Sequence, residues 1–234
     1  MSRPLPLVTI DGPAGAGKST VSQELADRLG YTYLDTGALY RTVALCVGED
    51  ASLQQALGSG RLDEGAQARL GELTGGLPIR FEDGGRRTWL GERDVTDVIR
   101  TPEISQAASK VSAVPAVREA LLGLQRRLAA GGGVVAEGRD VGTVVFPDAE
   151  VKFYLTADPE CRARRRVAQL AEAGIEADLA ETQREIEERD ARDQGRAVAP
   201  LRRPDDAVEI DSGPLSAGQV VARMLEVVTS RKGS

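Results

Sequence analysis

Histidine and asparagine are both absent from the 234 residues. Without histidine there is no Ser-His or Cys-His catalytic pair and no imidazole metal site. Without asparagine the N-K-x-D pattern that reads guanine cannot exist, which argues against a GTPase. Cys46 and Cys161 are too few and too far apart for a disulfide framework or a zinc site, and read as inert thiols of a reducing compartment. Aromatic residues make up only 3%, so the 41% apolar fraction must fill a core mainly with Leu, Val and Ala. No signal peptide is visible and no apolar run approaches the ~20 residues of a membrane span, so a soluble cytoplasmic protein with no membrane partner is expected. The formal charge of −6 provides no overall basic field, which argues against a nucleic-acid polymer as partner.

What is present begins with "TIDGPAGAGKST", Thr9 to Thr20. Pro4 to Asp11 is a short apolar run that reads as a buried parallel strand. Gly12 to Ser19 matches G-x-x-x-x-G-K-[ST] at every fixed position, and Thr20 to Leu29 has helical spacing, with Gly30 as its C-cap. Strand, glycine loop and helix form the context in which this motif holds phosphates. The glycines let several N–H groups point at one anion beside a positive helix start. Lys18 would meet the β- and γ-phosphates and the Ser19 hydroxyl would help hold Mg2+. The loop reads as a nucleoside triphosphate site.

Strand-like and helix-like segments then alternate. Strands are expected at 31–37, 134–138, 151–157 and 207–211, with helices after the first, from Pro159, and over 216–231. That order implies an α/β fold with a parallel sheet covered by helices. Residues 77–96 depart from it, alternating apolar and polar around Asp83-Gly84-Gly85, which reads as a small antiparallel insertion.

Arginines recur near the strand ends, where ligands of open α/β sheets sit. "YLDTGALYR" (33–41) sets Arg41 one helical turn beyond Asp35, Thr36 and Gly37, and "VVAEGRD" (134–140) sets Arg139 and Asp140 beside Gly138. Each could be a surface ion pair, but two such clusters suit a second anionic ligand, gripped by the fixed fork of arginine donors. In "EIEERDARDQGRAVAPLRRPDDA" (185–207), Arg189, Asp193 and Arg196 share one face if the helix persists past Gly195, as a lid over phosphates would require. "CRARRR" (161–166) reads more simply as an exposed helix face.

These segments, together with "AEGRDVGTVVFPDA" and "IRTPEISQAASKVSAVPAVREAL" (99–121), resemble in order and spacing the bacterial cytidylate (CMP) kinases of the P-loop nucleoside monophosphate kinase family. The resemblance covers essentially the whole chain, with Thr36 keeping the hydroxyl of a common family serine. It implies a P-loop kinase three-layer α/β sandwich forming one domain over 1–234. The NMP-binding region would carry the hairpin insertion at about 62–105 and the helical lid would lie at about 185–203. It implies that Gly12, Pro13, Ala14, Gly15, Ala16, Gly17, Lys18, Ser19 and Thr20 bind ATP, with Ser19 as the metal ligand. Arg41, Arg139 and Arg189 would grip the acceptor phosphate and the transferring group, with Lys18, Arg139 and Arg189 as the catalytic set. Thr36, Ser109, Arg118 and Asp140 would hold the acceptor nucleotide, and Asp193 and Arg196 would reach its sugar and phosphates. The implied reaction is phosphoryl transfer from ATP, with Mg2+, to CMP or dCMP, by a cytoplasmic monomer. Such transfer depends on positioning and charge neutralisation more than on a general base, so the absence of histidine is no handicap.

Other readings stay open at this point. A regulatory P-loop ATPase would use the same loop with Glu137 as its strand-end acid, and a non-catalytic nucleotide-binding module would need the loop alone. Among kinases, adenylate and UMP/CMP kinases are the nearest rivals.

Overall fold

Leu7–Asp11 forms the first strand, β1, and burial of all five residues explains why the run is so apolar. The sequence reading began this strand at Pro4, which lies outside the residues described by the computed structural model: 5–59, 62–172 and 174–232. Helix α1 (Lys18–Leu29) starts two residues before the expected Thr20 and ends on Gly30, whose φ of 65° makes it the expected C-cap. Strand β2 (Thr32–Asp35) gives way to α2 (Thr36–Gly48) earlier than the expected 31–37, because Asp35 caps the helix through the Ala38 N–H at 3.0 Å. Then follow α3 (Ala51–Gly58), α4 (Glu64–Gly76) and three short strands, β3 (Ile79–Glu82), β4 (Arg87–Leu90) and β5 (Arg93–Asp94). Helices α5 (Pro102–Val111) and α6 (Pro115–Leu128) each begin on a proline, which lacks the N–H that a first turn leaves unpaired. The remaining elements are β6 (Val134–Gly138), β7 (Val151–Thr156), α7 (Pro159–Glu172), α8 (Leu179–Gln194), β8 (Val208–Asp211) and α9 (Ala217–Lys232).

The chain divides into two compact units, Met1–Tyr31 with Gly131–Ser234, and Thr32–Ala130. In the first, four parallel strands lie in the order β6-β1-β7-β8. The register sets Asp11 opposite Gly138 on one side and Tyr154 on the other, so the phosphate loop leaves the sheet between two neighbouring strand ends. Leu7, Ile10, Val135, Phe153 and Leu155 fill the sheet, and α9 packs on α1 with Val221 and Met224 buried. β6, β7 and β8 fall within one residue of the expected strands.

In the second unit α2, α4, α5 and α6 enclose an aliphatic core that includes Leu39, Val43, Leu70, Val111 and Leu121. The expected hairpin is present, turning at Asp83–Gly85, and β5 extends it to a three-stranded antiparallel sheet in the order β3-β4-β5. The α/β class with a parallel sheet and a separate small antiparallel sheet is therefore the one read from the sequence.

Candidate active site

The loop after β1 is shaped by close packing and by left-handed backbone. A Cβ on Gly12, at φ 149°, would stand 2.0 Å from the Leu155 carbonyl oxygen, so only glycine lets the chain pass over β7. Gly15 and Gly17 have φ of 75° and 88°, which curl the loop. Gly17 caps α1 without any side-chain acceptor, and no acidic residue occupies the first turn. The helix start is thus left as an uncontested positive site for an anion. Lys18 opens the helix at 7% exposure, and its Nζ donates to the Pro13 carbonyl at 2.7 Å, closing the loop on itself. Burial holds its ammonium well below the usual lysine range, followed by the charge of Arg139, with Arg189 pushing the same way and Glu137 and Asp11 opposing. Lys18 therefore lies within the field of these four charged side chains. The backbone donors and the lysine fit a triphosphate. The hard hydroxyl oxygen of Ser19, one residue beyond Lys18, suits the cation that accompanies one.

Beside the loop, Arg139 follows β6 directly. Its Nε donates to Asp193 Oδ2 at 3.0 Å and its Nη1 to the Gly138 carbonyl at 3.2 Å. Asp193, 1% exposed on α8, also accepts from Arg196, so two guanidinium groups share one carboxylate. The shared face of Arg189, Asp193 and Arg196 required the α8 helix to persist past Gly195. It ends instead at Gln194, where Gly195 caps it, and Leu201 N–H folds back onto the Asp193 carbonyl at 2.8 Å. Arg196 reaches Asp193 from the segment after the helix rather than along its face. Asp140 and Glu137 are both buried.

The expected exposed face at 161–166 is only partly so. Arg164 is exposed and pairs with Glu160, but Arg162 is 5% exposed. Its Nε donates to the Ala157 carbonyl and its Nη1 to the Ala14 carbonyl, each at 3.0 Å, and Nη1 also pairs with Asp190 of α8. Arg165 donates to Ser212, whose hydroxyl donates to the Ala16 carbonyl at 2.9 Å. Sequence reasoning missed Arg162, Arg165, Asp190 and Ser212 as supports of the loop. Their partners are up to 196 positions away, and no local spacing announces them.

The second unit carries its own cluster. Asp35, at the start of α2, holds Arg41 Nη1 at 3.1 Å, and Arg100 lies 3.8 Å from the same oxygen. Thr36 and Ser109 are buried, and so is Arg118, which donates to the Ser112 carbonyl at 3.0 Å and lies over the Tyr40 ring. Among the described residues no helix is long and apolar enough to cross a membrane.

A glycine loop between a buried parallel strand and a helix, with a buried lysine and gathered arginines, defines a P-loop kinase. The sequence model of the cytidylate kinase family matches residues 8–230. The chain is 48% identical over 234 residues to the cytidylate kinase of Syntrophotalea carbinolica, covering 99% of this chain and 95% of that one. It is 49% identical over 228 residues to that of Geobacter sulfurreducens, with 97% and 94% covered. To that of Carboxydothermus hydrogenoformans it is 48% identical over 222 residues, with 94% and 96% covered. The chain belongs to the cytidylate kinase family.

Proposed function

We propose that the protein transfers the γ-phosphoryl group of ATP to CMP or dCMP, giving ADP and CDP or dCDP. The observation that carries this reading is the buried Lys18 of the phosphate loop, with Arg139 at the neighbouring strand end paired to Asp193, in a chain matched to the family over nearly its whole length. Gly12 to Thr20 receive the donor phosphates through the loop amides, and Lys18 stays with the transferring group. The Ser19 hydroxyl would hold Mg2+, which would supply charge neutralisation on the donor phosphates. Arg139 and Arg189 neutralise the acceptor phosphate and the group in flight, which is the main demand of this chemistry. Thr36, Arg41, Ser109 and Arg118 serve the acceptor nucleotide. Asp140 meets the cytosine amino group, and Asp193 and Arg196 meet its sugar and phosphates. Residues 62–105 form the acceptor-binding region and 185–203 the lid of a single kinase domain, acting as a monomer. The two free cysteines suit a cytoplasmic setting.

A coupled assay tests the reading. CMP-dependent formation of ADP is expected. ADP formation indifferent to CMP would make the protein an ATPase, and none at all a binding module. AMP replacing CMP at equal kcat/KM would point to an adenylate kinase.

A further inference from the structure

Asp11 is wholly buried, and both its carboxylate oxygens are occupied by the backbone of one turn. Val141 N–H donates to Oδ1 at 2.8 Å and Gly142 N–H to Oδ2 at 2.7 Å. A charge in the interior is costly unless its hydrogen bonds are complete, and these two bonds point it at a single place. That place is the turn directly after Arg139 and Asp140. The ladder between β1 and β6 ends with Asp11 opposite Gly138, so beyond that point Asp11 continues the grip that the sheet has given up. The turn itself is tight, with Val144 N–H bonded to the Asp140 carbonyl at 2.9 Å and Phe146 N–H to the Val141 carbonyl at 2.7 Å.

The turn is also confined around Gly142. A Cβ on Gly142 would lie 2.8 Å from Thr9 Oγ1, 3.1 Å from Asp11 Oδ2 and 3.1 Å from Pro204 Cγ. Asp11 therefore pulls the peptide in while Thr9 and Pro204 leave it nowhere else to go. From this seat Arg139 extends to Asp193, so the placement of the turn is passed on to α8.

We propose that Asp11 is a positioning residue for the acceptor: through the amides of Val141 and Gly142 it sets where Arg139 and Asp140 stand, and so how tightly the nucleoside monophosphate is held. This rests on the assignment of Arg139 and Asp140 to the acceptor. The charge state of Asp11 gives a second handle on it. Burial pushes its carboxyl up to about 6, with Asp140 of the turn pushing the same way, while the amides of Gly142 and Val141 and then Lys18 of α1 oppose. Tyr154 of β7 faces it as well. Protonation would remove an acceptor from one of the two amides and slacken the turn.

The test compares the wild type with Asp11→Asn, which keeps the volume, and with Gly142→Ala, which crowds the same turn against Thr9, Asp11 and Pro204 without altering charge. In both, KM for CMP should rise at least about tenfold, the size of one lost charge-assisted hydrogen bond, while KM for ATP stays within about threefold. Acceptor kcat/KM should fall more steeply in the wild type than in Asp11→Asn as pH drops through about 6, because only the wild type adds an Asp11 limb to that of the substrate. A substrate phosphate also titrates near 6, so a limb shared by both enzymes belongs to the substrate. Both KM values rising in equal proportion, a CMP KM unmoved in the two variants, or a pH limb identical in wild type and Asp11→Asn would overturn the proposal. Wild-type enzyme lacking CMP-dependent ADP formation would instead overturn the functional reading. The positioning then still shows as faster amide exchange at Val141 and Gly142 in Asp11→Asn, and unchanged exchange there would overturn it too.

Discussion

Arg162 and Asp190 form a buried ion pair that joins α7 to α8, and between them they bracket one residue of the phosphate loop. Arg162 donates to the Ala14 carbonyl, while Asp190 Oδ1 accepts the Ala14 N–H at 3.3 Å. Asp190 also sits next to Arg189 in sequence and three residues before Asp193. The phosphate loop and the helix that carries Arg189 and Asp193 are thus fixed to the same pair.

Removing one partner of such a pair strands a buried charge. Arg162→Ala should destabilise the protein by about 3–5 kcal/mol, lowering the thermal midpoint by roughly 6–20 °C. The double variant Arg162→Met with Asp190→Leu should regain much of that, since well-packed apolar residues replace buried ion pairs at little net cost. Calorimetric melts decide it. A single variant as stable as the wild type would show that the pair does not hold in solution.

The contrast between Lys18 and Arg162 shows what the sequence discloses. The role proposed for Lys18 follows from eight consecutive residues, because a strand, a curled loop and a helix start all obey local rules. The parallel strands were legible for the same reason, as short apolar runs with clear ends. Arg162 carries an unambiguous charge, yet its neighbours Arg164, Arg165 and Arg166 look identical in sequence. Only the fold decides that it turns inward to Ala14 and Asp190 while Arg164 turns out to Glu160. The end of α8 shows the same limit. The charge spacing of Arg189, Asp193 and Arg196 suggested a longer helix, but Gly195 and the bond from Leu201 to Asp193 stop it.

Lys18→Ala should abolish transfer while leaving the fold intact. Its contact with the transferring phosphoryl gains value as charge develops, so kcat should fall by at least about a hundredfold. Steady-state kinetics would contradict the role if kcat stayed within about tenfold of the wild type.

CMP and dCMP should be good acceptors and UMP a poor one. Uracil presents a carbonyl and an N3–H where cytosine presents an amino group and a bare N3. A carboxylate such as Asp140, set for the amino group, would face a carbonyl instead. Mismatches of this kind at a buried site cost up to about four or five powers of ten in kcat/KM. Comparable kcat/KM for UMP and CMP would mean that the base is not read by these residues.

The ion pairs on α8 bear on which part of the proposed lid should move. Asp190 is tied to Arg162, which should keep the body of the helix in place whether or not nucleotide is bound. Beyond Gln194 the chain is irregular, and Arg196 is held to Asp193, which Arg139 also grips. Phosphates offer these guanidinium groups a stronger partner than a shared carboxylate, so bound nucleotides should redraw the contacts and order the segment. Closure would then keep water from the transferring group. Hydrogen exchange across residues 195–203 should therefore slow markedly only when CMP and a non-hydrolysable ATP analogue are both present, with a smaller change over 185–194. Protection of 195–203 that is already complete in the free enzyme would remove the lid reading. Arg189→Ala should lower kcat more than it raises the acceptor KM, because its charge matters most as the phosphoryl group moves.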